Sequence, residues 1–118
     1  WSRGLGDVYK RQAFLSGTWS GTNACTARSY PYTLTAAATA TPNQLAISNF
    51  GGYGATTTCY ATLNCNQDSV IIPAQGIGNG TVVTGYGTFN GGSMTIWYTA
   101  TSIPGGGNET CSATYTKQ

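Results

Sequence analysis

Apolar and polar residues alternate along most of this chain, and the alternating runs are short. A period of two is the pattern of a half-buried strand, and no segment repeats its apolar residues at the 3.6-residue period of a helix. Thr, Tyr, Val and Ile dominate the runs, while Gly, Asn and Pro punctuate them, as strands and turns require. Eight strands are predicted, at 14–21 (FLSGTWSG), 28–41 (RSYPYTLTAAATAT), 44–50 (QLAISNF), 55–64 (ATTTCYATLN), 69–75 (SVIIPAQ), 81–89 (TVVTGYGTF), 93–101 (SMTIWYTAT) and 109–116 (ETCSATYT). In the second, Tyr30, Tyr32, Leu34, Ala36, Ala38 and Ala40 share a face, and Pro31 marks an edge-like or bulged start. Asn90-Gly91-Gly92 is a tight-hairpin signal, because Asn and Gly tolerate positive φ. The connections are too short for parallel crossovers, so the strands form an antiparallel meander. Such a sheet hides its two edges either by closing into an eight-stranded barrel or by folding into a two-layer sandwich.

Gly17-Thr18-Trp19, in the first strand, resembles the G-x-W motif of the lipocalins and of calycin-like barrels more broadly. The resemblance implies that Trp19 plugs one barrel end beside a basic residue from the last strand, a place that Lys117 fills here. The segments GTWSGTNAC, LAISNFGGYG, VIIPAQ, GYGTFNGGSMTIWYT and CSATYTK are also similar to small extracytoplasmic lipoprotein domains of Bacteroidota bacteria. That similarity implies a calycin-like barrel over 13–118 and a periplasmic or cell-surface protein held by an N-terminal lipid anchor. It implies very little about chemistry.

The four cysteines contain no C-x-x-C pair and the chain has no His, so a zinc site is not expected. An even cysteine count in a small, charge-poor chain points instead to an oxidising compartment. In a closed meander the first and last strands are neighbours, which makes a Cys25–Cys111 bridge geometrically natural. Cys59 and Cys65 are the remaining pair. Along one continuous strand they would lie about 20 Å apart, so a bridge between them requires the chain to bend at NCNQD.

Charge changes the picture at one end. Charged residues are 7% of the chain, and the formal net charge of +2 comes wholly from Arg3, Lys10, Arg11 and Asp7. Beyond residue 12, Arg28 and Lys117 balance Asp68 and Glu109, and all 20 threonines and all four cysteines follow. Read as codons, SRGLGDVYKRQ resembles a transposase-type sequencing adapter, so residues 1–12 are set apart from the domain at 13–118. Without them the charge gives no ground for nucleic-acid binding. No run is long enough for a membrane-spanning helix, and membrane contact is expected only through a lipid anchor on a monomer.

Candidate chemistry is sparse. Asp68 and Glu109 are the carboxylates of the body; Asp68 sits in the turn before strand five and Glu109 starts strand eight, and these two strands run oppositely. They therefore fall at opposite barrel ends, too far apart to act as a glycosidase pair, and read as solvated turn charges. Without His there is no Ser-His-Asp set, a Cys nucleophile would lack its usual base, and no cofactor motif is present. A non-catalytic domain is expected, with two readings of its role. In the first, Tyr30, Tyr32 and Leu34 face inward with Val82, Tyr86, Met94, Ile96 and Tyr98, and the small side chains of Ala36, Ala38 and Ala40 leave room for a small apolar or amphipathic ligand. Its site comprises Tyr30, Tyr32, Ala36, Ala38, Tyr86 and Tyr98. In the second, the core is filled, and Val83, Phe89 and Trp97 face outward as a contact strip for a protein partner.

Overall fold

The computed structural model describes residues 12–26, 28–64 and 67–118. The strands are β1 (Gly17–Cys25), β2 (Ser29–Ala38), β3 (Gln44–Ser48), β4 (Thr58–Asn64), β5 (Ser69–Gly76), β6 (Val82–Asn90), β7 (Ser93–Thr101) and β8 (Asn108–Lys117). Each pairs antiparallel with the next, and β8 returns to β1, so the sheet is a closed meander barrel rather than a sandwich. The β1–β8 seam runs from Trp19 opposite Lys117 to Cys25 opposite Cys111. Closure removes the two free edges that an open meander would expose.

Alternation puts the apolar side chains inside. Leu34, Leu45, Ile47, Leu63, Val70, Ile72, Ile96 and Tyr115 are among the buried residues of one continuous core. An eight-stranded barrel has an interior that side chains just fill. The outward positions of β6, β7 and β8 are mostly threonines. A membrane-spanning barrel has the opposite arrangement, with its apolar band outside.

The first strand starts later than its sequence suggests. Residues 12–15 form a helical turn, and Gly17, at φ 129°, redirects the chain into β1 in a conformation that favours glycine. The turn folds Leu15 beneath the barrel, where its carbonyl accepts a 2.9 Å hydrogen bond from Trp19 Nε1. Gln12 is fully buried, and its amide donates to the carbonyls of Thr41 and Gln44 at 2.9 and 2.8 Å. Of the segment 1–12 set apart for its adapter resemblance, residues 1–11 lie outside the described residues, and Gln12 packs with the barrel.

At the other end the GGYG segment is more than a turn. A 3-10 turn at Phe50–Gly52 carries Phe50 and Tyr53 over the barrel mouth, and both are buried. Between the two ends, Gly21 faces the interior with Tyr32 opposite it on β2 and Tyr115 opposite it on β8. A Cβ at position 21 would lie 2.5 Å from both the Thr114 carbonyl oxygen and the Tyr115 ring. Its absence lets the two tyrosine rings meet edge-on, with centroids 5.8 Å apart.

Two expectations about facing are corrected. On β6, Val83 and Phe89 point inward and Val82 and Tyr86 outward, the reverse of the sequence reading. The hairpin requires this, because Tyr86 is directly opposite the outward Trp97. On β2, Ala36 is buried, but Ala38 and Ala40 are exposed because the strand leaves the barrel there. The expected Cys25–Cys111 disulfide is present, with Cα atoms 4.0 Å apart, and indicates an oxidising compartment. The second expected bridge is not. Cys59 is a buried free thiol facing the core from β4. That strand continues to Asn64 without the bend a bridge would need, and Cys65 lies outside the described residues.

Candidate functional site

Two arrangements stand apart from the apolar core. The first is a polar cluster at the barrel end covered by Phe50 and Tyr53. Asn23 reaches it from β1, Tyr30 and Tyr32 from β2, Tyr98 from β7 and Glu109 from β8. Asn23 Nδ2 lies 2.5 Å from the Tyr98 hydroxyl, 2.9 Å from the Tyr30 hydroxyl and 3.3 Å from the Gly51 carbonyl. The Tyr30 hydroxyl donates to the same carbonyl at 2.6 Å, and the Gly51 amide donates to the Tyr32 hydroxyl at 3.2 Å. The Tyr32 and Tyr115 hydroxyls are also hydrogen-bonded. This network pins the 3-10 turn to the barrel. Asn23 Oδ1 is buried with no partner among the described residues.

Glu109 anchors the cluster. Its position at a strand start suggested a solvated charge, but the side chain points inward and is buried. Arg28 grips it as a fork, with Nε donating to Oε1 and a terminal nitrogen donating to Oε2, each at 3.0 Å. Tyr53 donates to Oε2, and the Tyr30 hydroxyl lies 3.3 Å from it. The Arg28 bonds, helped by Tyr53, hold the Glu109 carboxyl below its ordinary range against the opposing effect of burial. Burial pushes the phenols of Tyr32, Tyr53, Tyr98 and Tyr115 upward. It also pushes the Cys59 thiol up to about 12. At neutral pH Glu109 is an ionised carboxylate held at both oxygens, beside the protonated phenols of Tyr53 and Tyr98.

A cation at this end would meet Glu109 and the sulfurs of Cys25 and Cys111, whose ligand atoms lie within 4.8 Å of one another. Both sulfurs are consumed by the disulfide, so the set offers no thiolate. Asp68 sits in the turn before β5, and the pairing of β5 through β8 places it toward the opposite end from Glu109.

The second arrangement lies on the outside. Ile71, Tyr86 and Trp97 stand directly opposite one another across β5, β6 and β7. They are 46%, 57% and 41% exposed. The Tyr86 and Trp97 rings are nearly parallel, 29° apart in plane, with centroids 5.4 Å apart. An open groove of 380 Å³ crosses this face, bordered by Thr84, Tyr86, Trp97, Thr99 and Thr110.

The residues expected to form an interior pocket are therefore scattered. Tyr30, Tyr32 and Tyr98 belong to the polar end, Ala36 belongs to the core, and Ala38 and Tyr86 face solvent. Of the expected outward strip, Trp97 is outside while Val83 and Phe89 are core. Its aromatic partner is Tyr86 rather than Phe89. At the opposite barrel end, Trp19 is fully buried and Lys117 stands opposite it. Lys117 Nζ donates to the Phe14 carbonyl and lies 4.6 Å from the centre of the Phe14 ring. Comparison of the sequence with protein families and with curated proteins finds no match.

Proposed function

We propose that this domain is a non-catalytic recognition module of an extracytoplasmic protein, and that it meets its partner on the outer face of β5–β7. The observation that carries this reading is the exposed Ile71–Tyr86–Trp97 row beside a tube whose interior is packed. Large apolar groups aligned across three strands cost hydration unless something covers them. The interior-ligand alternative has less behind it. Trp19 stoppers one end and Phe50 and Tyr53 the other, while the small side chains expected to open a pocket are split between core and solvent. Non-catalytic action is favoured because the buried carboxylate is engaged at both oxygens and the buried thiol is held protonated. The disulfide supports an extracytoplasmic location. The sequence resemblance extends this to a lipid-anchored protein of the bacterial periplasm or surface.

The test compares outer and inner binding. The domain is applied to glycan and peptide arrays and titrated separately with palmitate. Array binding that Tyr86→Ser/Trp97→Ser removes, at an unchanged unfolding midpoint, is the expected result. A one-to-one palmitate complex that survives this double substitution would place binding inside the tube and overturn the reading.

A further inference from the structure

We propose that the groove over Tyr86 and Trp97 is a binding site for a neutral polysaccharide chain. This rests on the reading of the outer face as the contact surface and names the chemistry of its occupant. Three properties of the face select that chemistry.

The first is the aromatic platform. The two rings stack 29° apart in plane with centroids 5.4 Å apart, and each keeps part of its aromatic carbon open to solvent. A pyranose ring has a C–H face of matching flatness, and burying it on aromatic carbon is favourable without any charge.

The second is the hydroxyl frame. Thr84, Thr99 and Thr110 stand in a row across β6, β7 and β8 on one side of the platform. Thr88, Thr95 and Thr114 form the matching row on the other side. Each row is two residues, roughly 7 Å, along the strands from the aromatic row, with neighbouring strands about 4.8 Å apart. The Thr84 hydroxyl reaches the Ile72 carbonyl at 3.3 Å, whereas those of Thr99 and Thr110 make no hydrogen bond among the described residues. A sugar lying flat on the rings directs its rim hydroxyls toward these rows, and each threonine can both donate and accept.

The third is neutrality. No outward position of β6, β7 or β8 carries a charged side chain. A phosphate or an acidic peptide would find no counter-charge here. An apolar protein surface large enough to bind stably, about 800 Å² per partner, would extend past the three apolar residues. It would then cover the threonine rows and strand their hydroxyls without partners. A neutral polyhydroxylated chain satisfies both the rings and the rows. The groove is open, so it suits a stretch within a chain, and its 380 Å³ lies near the lower end of ligand sites, about 300–1,000 Å³.

The experiment titrates the isotopically labelled domain with cellohexaose, xylohexaose, mannohexaose and chitohexaose, with an oligogalacturonate hexamer as the anionic control. At least one neutral hexasaccharide is expected to move the amide resonances of Thr84–Tyr86 and Trp97–Thr99, with dissociation constants of about 0.1–1 mM. Trp97→Ser should weaken that binding about tenfold, and Thr99→Val about threefold, at unchanged thermal midpoints. No response to any neutral hexasaccharide at about 10 mM overturns the saccharide assignment. A stronger response to the anionic control, or one indifferent to Trp97→Ser, overturns it too. If a peptide still binds the array through Tyr86 and Trp97, the outer-face reading stands and only the saccharide falls. If array binding is indifferent to both residues, both fall.

Discussion

At the Trp19 end the barrel is stopped by packing. A helical turn folds Leu15 underneath, one indole hydrogen bond fixes the ring, and Lys117 crosses to the Phe14 carbonyl. At the Glu109 end the stopper is a hydrogen-bonded network in which Arg28, Tyr30, Tyr53 and Asn23 gather around one carboxylate and one backbone carbonyl, with the disulfide alongside. The first closure depends mainly on shape and apolar area, so acid leaves it unchanged. The second depends on protonation states and on every partner being present. Similar mouths in one small barrel are thus closed by forces that respond to different perturbations.

The largest expected effect is on the polar end. Replacing Cys25 and Cys111 together by Ala should lower unfolding stability by about 4–5 kcal/mol on the chain-entropy account of a loop spanning 86 residues, measured by urea denaturation. Trp19→Ala should follow at about 4 kcal/mol, from lost burial and the cavity left behind. Its deficit should be the same at pH 4 and pH 8, and a deficit that vanished in acid would contradict the packing account. Glu109→Gln should remove about 2 kcal/mol at pH 7, because the tyrosine hydroxyls lose a charged acceptor while the 48%-exposed Arg28 is rehydrated.

The sign of the pH response separates the ends further. The folded-state pKa of Glu109 is depressed, so its stabilisation is complete above the ordinary carboxyl value of 4.5 and is lost as pH falls through the folded value. Wild type and Glu109→Gln should therefore converge in urea midpoints in strong acid. The buried phenols have raised values, so their contribution is complete below pH 10 and fades as pH rises beyond it. Smallest of all, Lys117→Met should lower unfolding stability in urea by about 0.5 kcal/mol, since the ammonium is exposed and its partners are one carbonyl and one ring face.

Much of this fold is written in the chain in plain terms. Period-two alternation and short Gly/Asn turns leave little besides a meander, and the bounds of β7 follow from its pattern alone. The facing of β6 was equally available. A two-residue loop at Gly91-Gly92 sets Asn90 opposite Ser93, and counting back from there sets Tyr86 opposite Trp97. Residues directly opposite share a face, so an outward Trp97 requires an outward Tyr86. Glu109 carried a similar clue. It keeps step with Cys111, Ala113 and Tyr115, all of which face inward, and that periodicity outweighs its place at a strand start. Two features lay beyond pattern reading. The helical turn at 12–15 is too short to show a period, and the 3-10 turn at Phe50–Gly52 is shaped by tertiary contacts with Tyr30, Tyr32 and Asn23.

The β1–β8 seam has a kinetic consequence. Every other pair of neighbouring strands can zip outward from the short connection between them, whereas this pair has no turn and waits for the whole sheet to assemble. Until it forms, the nascent molecule presents two unpaired ribbons, the state most prone to join another copy. Joining them is thus both the slow step and the protective one. Oxidation of Cys25 and Cys111 fastens the join, so refolding with the bond intact should outpace refolding of the reduced chain and yield less aggregate.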